Sequence, residues 1–277
     1  MGQFRKFNIL ILFIIVISLN GVLSYGWVGH QLTAAIAQRF LTPRAQRAII
    51  ELLPPEANGS LSAIAHWADT IRSKPHYRFS TRLHFWNPAN DNPPETCSCA
   101  WIPGRYDVIT AIYNYSHRLD PKTGLEYTQQ AEALKFLVHF LGDLHQPLHL
   151  TTKLKGGNGA IARFDNRKTS LHTIWDSHNS HVRVDFFQYD RISFSPPRRR
   201  PIRPPFPIPE VPDSICPNYW AIDLKKLNCE IMWKGYDPDI DYGHGKFYDA
   251  LMESQLVEKL LAMAGIRMAA ILNTILT

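Results

Sequence analysis

Charge is sparse in this chain, cysteine is sparser, and no internal repeat is evident. Only 19% of the 277 residues are Asp, Glu, Lys or Arg, while 45% are hydrophobic. That balance excludes a long solvated chain and supports a sizeable core. The four cysteines, Cys97, Cys99, Cys216 and Cys229, do not form CxxC knuckles, which argues against a structural zinc site built from them. The longest apolar run near the start, Ile9 to Leu19, is too short for a transmembrane helix. Strand signals are few, which points away from an all-β fold. Even the net charge of +6 is local. Arg5 and Lys6 sit at the N-terminus, and Arg198, Arg199, Arg200 and Arg203 lie in one proline-rich run. Without these six, the rest of the chain is near neutral, so composition alone is weak evidence for a nucleic-acid partner.

What is present begins with a secretory signal. Arg5 and Lys6 precede the apolar run, and Val22 and Ser24 are small enough to flank a cleavage site. Residues 1–24 are therefore expected to be removed, leaving a single domain of residues 25–277 that starts at Tyr25. A secreted chain permits disulfides, and long-range bridges from the Cys97/Cys99 pair to Cys216 and Cys229 are expected. Asn58-Gly-Ser and Asn114-Tyr-Ser are N-glycosylation acceptor patterns.

Helical patterning dominates. Helices are expected over His30 to Leu41, Pro43 to Leu53, Leu61 to Arg72, Tyr106 to His117, Gln129 to Leu150 and Tyr248 to Leu276. The fifth is expected to be kinked or ended by Pro147. The pattern is that of an all-α fold with one multi-helix domain. Residues 196–212, PPRRRPIRPPFPIPEVP, interrupt it and favour extended polyproline conformation. They read as a solvated loop or retained non-coding sequence in preference to a phosphate-binding arm.

The chemistry concentrates in HFLGDLHQPLH, His139 to His149, and in HTIWD, His172 to Asp176. Each segment pairs a His with an Asp four residues later, so both side chains share one helix face. A nitrogen and a carboxylate oxygen can then converge on one cation, a donor pair that suits zinc. Apolar neighbours around His139 and Asp143 argue against a simple surface ion pair. Two such pairs, with His149 beyond the first, imply more than one metal and hydrolysis of a phosphate ester. His145 reads as a supporting rather than ligating histidine. Asp69 and His84 add a further carboxylate and imidazole.

These segments form a longer pattern: Gly26 to His30, Trp67 to Arg72, Leu83 to Phe85, His139 to His149, Gly156 to Asn158 and Leu171 to Asp176. In order and spacing the pattern resembles the class I single-strand-specific nucleases, secreted three-zinc enzymes sharing a fold with bacterial zinc phospholipase C. The resemblance covers nearly the whole mature chain apart from about residues 177–215. It implies one zinc on Asp69, His84, His139 and Asp143. A second would sit on His149, His172 and Asp176. A third would take His30, Asp143 as a bridge, and the free α-amino group and carbonyl of Tyr25, so that signal cleavage becomes an activation step.

The same resemblance gives Asp69 and Arg72 catalytic roles, Asp69 orienting water and Arg72 meeting phosphate. It makes Phe85 a stacking surface for a base and Asn87 a contact to a base edge. The implied substrates are single-stranded DNA and RNA, cut to 5′-phosphorylated products, with 3′-nucleotidase activity on nucleotides as a further expectation. A monomer without stable membrane association is implied. The alternatives are a zinc phospholipase C-like phosphodiesterase and a non-catalytic secreted zinc-binding relative. Three positions depart from the family pattern: Tyr25 where Trp is usual, Asn87 where Asp is frequent, and Ser170 where Asn is usual. The segment after Asp176 is also shorter than in the family.

Overall fold

In a computed structural model the described residues are 25–97, 101–102, 106–177 and 216–276. The expected signal segment 1–24, the proline-rich run 196–212 and Cys99 lie outside them. The described chain is predominantly helical. Its helices are α1 (Trp27–Arg39), α2 (Pro43–Leu52), α3 (Trp67–Ile71), α4 (Val108–Leu119), α5 (Tyr127–Asp143), α6 (Leu171–Ser177), α7 (Pro217–Leu227), α8 (Lys246–Ser254) and α9 (Leu256–Ile275). One two-stranded hairpin, β1 (Ile161–Phe164) and β2 (Arg167–Ser170), precedes α6.

Local chemistry accounts for the helix starts. Thr42 caps α2 by accepting from the Ala45 N–H at 3.2 Å, with Pro43 at the first helical position. Asp107 caps α4 through the Thr110 N–H at 2.7 Å. Glu126 and Gln129 form a reciprocal capping box on α5. The centre of the domain is α5, which contacts α1, α2, α3, α4 and α9. Its last turns, Phe136 to Asp143, are buried on every side, as expected of a helix with no solvent face. The α1 and α9 axes approach closely because small residues line the crossing. A Cβ on Gly265 would stand 2.5 Å from Ile36 Cγ2 and 2.9 Å from the Thr33 carbonyl.

The structure corrects three helix expectations. Leu61 to Arg72 is not one helix but a 3-10 turn, Leu61–Ala63, followed by the short α3. The break presents the Ala65 carbonyl to the Nδ1–H of His139 at 2.8 Å. Helix α5 stops at Asp143, and Pro147 opens a separate 3-10 helix, Pro147–Leu150, whose first turn needs no proline N–H. This leaves α5 with 17 residues, against 20 in α9. The expected final helix is divided at Gln255, which adopts φ +51°. Ser254 Oγ accepts the Leu256 N–H at 3.2 Å, a local bond that competes with the helical ladder.

Several elements were not expected, among them helix α7 (Pro217–Leu227). A 3-10 helix spans Pro75–His84. The β1–β2 hairpin turns on Asp165 and Asn166, both at positive φ as a tight two-residue turn requires. Cys97 bridges Cys229 across 132 residues, one of the expected long-range pairings. Nearby, Asp91 and Lys225 form a buried ion pair at 3.1 Å, and Asp91 also accepts from Thr151 Oγ1 and the Thr152 N–H.

Gly265→Ala is expected to overpack the α1–α9 crossing and lower stability by about 1–3 kcal/mol. Urea denaturation would check this, and an unchanged midpoint would show that the helices can part without cost.

Candidate metal centre

Asp143 ends α5, and four histidines surround its carboxylate. Oδ2 lies 2.9 Å from His84 Nδ1 and 3.1 Å from His139 Nε2. Oδ1 lies 3.5 Å from His30 Nε2 and 3.3 Å from His149 Nδ1. The two oxygens of one buried side chain thus face different pairs of rings. Asp69, one turn into α3, brings Oδ1 to 3.6 Å from His84 Nδ1 and 3.7 Å from His139 Nε2. His30, one turn into α1, stacks on His139 with centroids 3.8 Å apart. Gly142 permits that approach, because a Cβ there would meet the His30 ring at 2.5 Å.

A second cluster lies beside the first. His172 and Asp176 sit one turn apart on α6, with Nε2 to Oδ2 at 2.9 Å. His149, from the 3-10 helix Pro147–Leu150, stacks parallel to His172 with centroids 5.2 Å apart and places Nε2 3.9 Å from Asp176 Oδ1. Three groupings bring possible ligand atoms within metal-sharing distance: His30/Asp69/His139, His84/His139/Asp143 and His149/His172/Asp176. All eight expected side-chain ligands are therefore brought together in two adjoining clusters.

The ring orientations favour cation binding. Three histidines donate Nδ1–H to main-chain carbonyls: His139 to Ala65 at 2.8 Å, His149 to His84 at 2.9 Å and His172 to Gly156 at 2.6 Å. Each bond fixes a tautomer that leaves Nε2 as a lone-pair donor, the arrangement found around ligating histidines. Gly156 sits at φ +63°, and a Cβ there would meet the Leu148 carbonyl at 2.8 Å, so this turn needs glycine. Gln146 ties the 3-10 helix to the second cluster, accepting the Leu148 N–H and donating to Asp176 Oδ1 at 3.0 Å.

Electrostatics agree with geometry. Burial and the neighbouring His139 push His30 down to about 4. Burial also lowers His84. Burial opposes protonation of His149, but the Asp143 and Asp176 carboxylates outweigh it and raise the ring to about 10. Burial would raise Asp143, yet the surrounding histidines hold it well below the usual carboxylate range. The site is thus a buried concentration of negative charge that demands positive charge in return.

Other expected residues fall around this centre. Arg72, 43% exposed, bonds Asp69 Oδ1 from Nη1 at 3.2 Å. Phe85 is half-buried and Asn87 exposed, and both line a cavity of about 580 Å³. Tyr25 is buried, and its main chain is pinned to the end of α6: Gly26 N–H donates to the Asp176 carbonyl at 2.8 Å. His145 donates Nδ1–H to Leu141 and accepts at Nε2 from Arg267, so both nitrogens are engaged away from the clusters. Sequence reasoning did not foresee Gln146 as a support for Asp176, although it lies inside the quoted motif. A fourth carboxylate–histidine group, Asp165/Asp241/His244, lies apart at the hairpin tip.

The comparisons agree with this geometry. The S1/P1 nuclease family profile matches residues 25–277. Endonuclease 3 of Arabidopsis thaliana is 29% identical over 296 residues, covering 99% of this chain and 97% of the relative. Endonuclease 2 of the same plant is 32% identical, covering 91% of each. Nuclease S1 of Aspergillus oryzae is 37% identical over 161 residues, covering 56% of this chain and 55% of the relative.

A metal ion must displace the proton of His149 but meets His30 already neutral at pH 7. Zinc uptake at pH 7 is therefore expected to release at least about one proton per chain, and to weaken as pH falls. Titration calorimetry in two buffers of different ionisation enthalpy measures the release; identical heats would contradict it.

Proposed function

The chain belongs to the S1/P1 nuclease family, and from that premise we propose a secreted zinc-dependent endonuclease that hydrolyses single-stranded DNA and RNA, leaving 5′ phosphates. The observation that carries the reading is Asp143, a buried carboxylate whose two oxygens address separate sets of histidines. We assign three zinc ions. One is held by Asp69, His84, His139 and Asp143, one by His149, His172 and Asp176, and one by His30, Asp143 and the main chain of a mature Tyr25. The donor set fits, since nitrogen and carboxylate oxygen are ordinary zinc ligands, and His30 Nε2 and His84 Nδ1 both face the buried Asp143 carboxylate. Zinc held there supplies Lewis acidity toward phosphate and lowers the pKa of water.

The chain's own residues complete the chemistry. Asp69 is positioned to orient an attacking water, because its Oδ1 already faces both the histidine cluster and Arg72. Arg72 keeps donors free toward solvent, where a phosphate would arrive, and can stabilise charge that grows on it. Phe85 offers a ring face to a base, which a duplex would hide. Secretion is supported by the Cys97–Cys229 bridge, which suits an oxidising compartment, and by the apolar run at residues 9–19. Among the described residues no helix is long and apolar enough to cross a membrane.

Purified mature protein is expected to cut single-stranded DNA in preference to duplex, and phosphatidylcholine not at all. Turnover of lipid alone would overturn the reading. Asp143→Asn is expected to lose two zinc ions together by elemental analysis, with activity falling at least about a hundredfold. Loss of a single ion would contradict the bridging role.

A further inference from the structure

Between Asp69 and Asp91 the chain carries no acidic residue, yet it carries Arg72, Lys74, Arg78 and Arg82. About half of this stretch is the 3-10 helix Pro75–His84, which leads to Phe85. A 3-10 helix has three residues per turn, so positions three apart lie above one another, about 6 Å from the next. Burial follows that period. Tyr77, Ser80 and Leu83 face inward, while His76, Phe79 and Arg82 are exposed, and Arg82 shares a cavity wall with Phe85. Phe79 rests against Tyr77 and Phe136, each 6.3 Å away by centroid, and leaves 48% of its surface open. Neither Arg78 nor Arg82 has an ion-pair partner among the described residues.

The row ends in the cavity of about 580 Å³, lined by Arg82, Phe85, Asn87, Ile102 and Tyr106. That space exceeds what one stacked base needs and falls in the range that takes a whole small ligand. Tyr106 is 60% exposed. The one carboxylate on the wall, Asp107, has its oxygens engaged by the Thr110 N–H and Trp101 Nε1–H. The wall therefore presents aromatic faces and a cation with little opposing charge.

We propose that the exposed face of the 3-10 helix, His76, Phe79 and Arg82, together with Tyr106, forms a track that binds single-stranded nucleic acid beyond the nucleotide held at Phe85. The proposal rests on the nuclease reading and extends it. Aromatic faces stack bases without regard to identity, and Arg82 pairs with a backbone phosphate. The track makes substrate length a determinant of affinity, because a dinucleotide reaches the metal centre without occupying it.

Two variants test this in zinc-loaded mature protein. Phe79→Leu keeps the packing against Phe136 and removes the π face. Arg82→Gln removes an exposed charge. Each is measured on thymidine dinucleotide and on an oligothymidylate of about a dozen residues. For the oligomer, Phe79→Leu is expected to raise KM at least about fivefold with kcat held. Arg82→Gln is expected to flatten the dependence of log KM on log salt by about 0.7. The dinucleotide should change far less in both. Equal changes in the two substrates, or none in the oligomer, overturn the track. Cleavage by the unsubstituted protein tests the nuclease reading separately. If it cuts neither substrate, fluorescence anisotropy with the labelled oligomer still reads the track, and equal affinities in all three proteins reject it.

Discussion

A carboxylate cannot remain charged inside a helical core unless positive charge is brought to it. Asp143 imposes that constraint on the whole domain. It ends the most enclosed helix, and its two oxygens are faced by rings from α1, the stretch before Phe85, α5 and the 3-10 turn after it. Removing any one of those elements would expose or orphan the charge at a cost of several kcal/mol. The core and the site are consequently one structure. The same residues that would make the interior expensive without a cation make it selective for one.

Helices supply the ligands, and the interruptions between helices orient them. His139 is aimed by the carbonyl of Ala65, which sits in the gap before α3. His149 is aimed by the carbonyl of His84, where the long 3-10 helix ends. His172 is aimed by Gly156, in a left-handed turn. Regular helix would use those carbonyls within its own ladder. Irregular backbone beside the site is therefore part of its construction.

That division explains what could be read from the sequence. The pairs His139/Asp143 and His172/Asp176 were legible because helical spacing alone joins them. So was the class of fold, carried by apolar periodicity and by caps such as Thr42-Pro43. The meeting of His30 with Asp143 was not legible from spacing, since it depends on Gly142 admitting a ring from another helix; only the family pattern suggested it. The break before α3 and the break at Gln255 carry no Gly or Pro at the joint, so no local signal marked them. The 3-10 helix was missed because only Ser80, Leu83 and His84 of its ten residues are buried, too few to mark an apolar face. The hairpin was missed although Asp165-Asn166 is acceptable turn chemistry, because its strands are only four residues each.

The loop that follows Phe85 is fastened twice. The Asp91–Lys225 ion pair is sealed from solvent, and the Cys97–Cys229 bridge ties the same loop to the turn after α7. Asn87 and the cavity wall thus stand on backbone whose conformational entropy was surrendered during folding. A single strand of nucleic acid arrives with its own freedom intact. In any encounter, the ordering cost falls on the polymer and hardly at all on the protein, so a substrate already held unstacked and extended has the least left to lose.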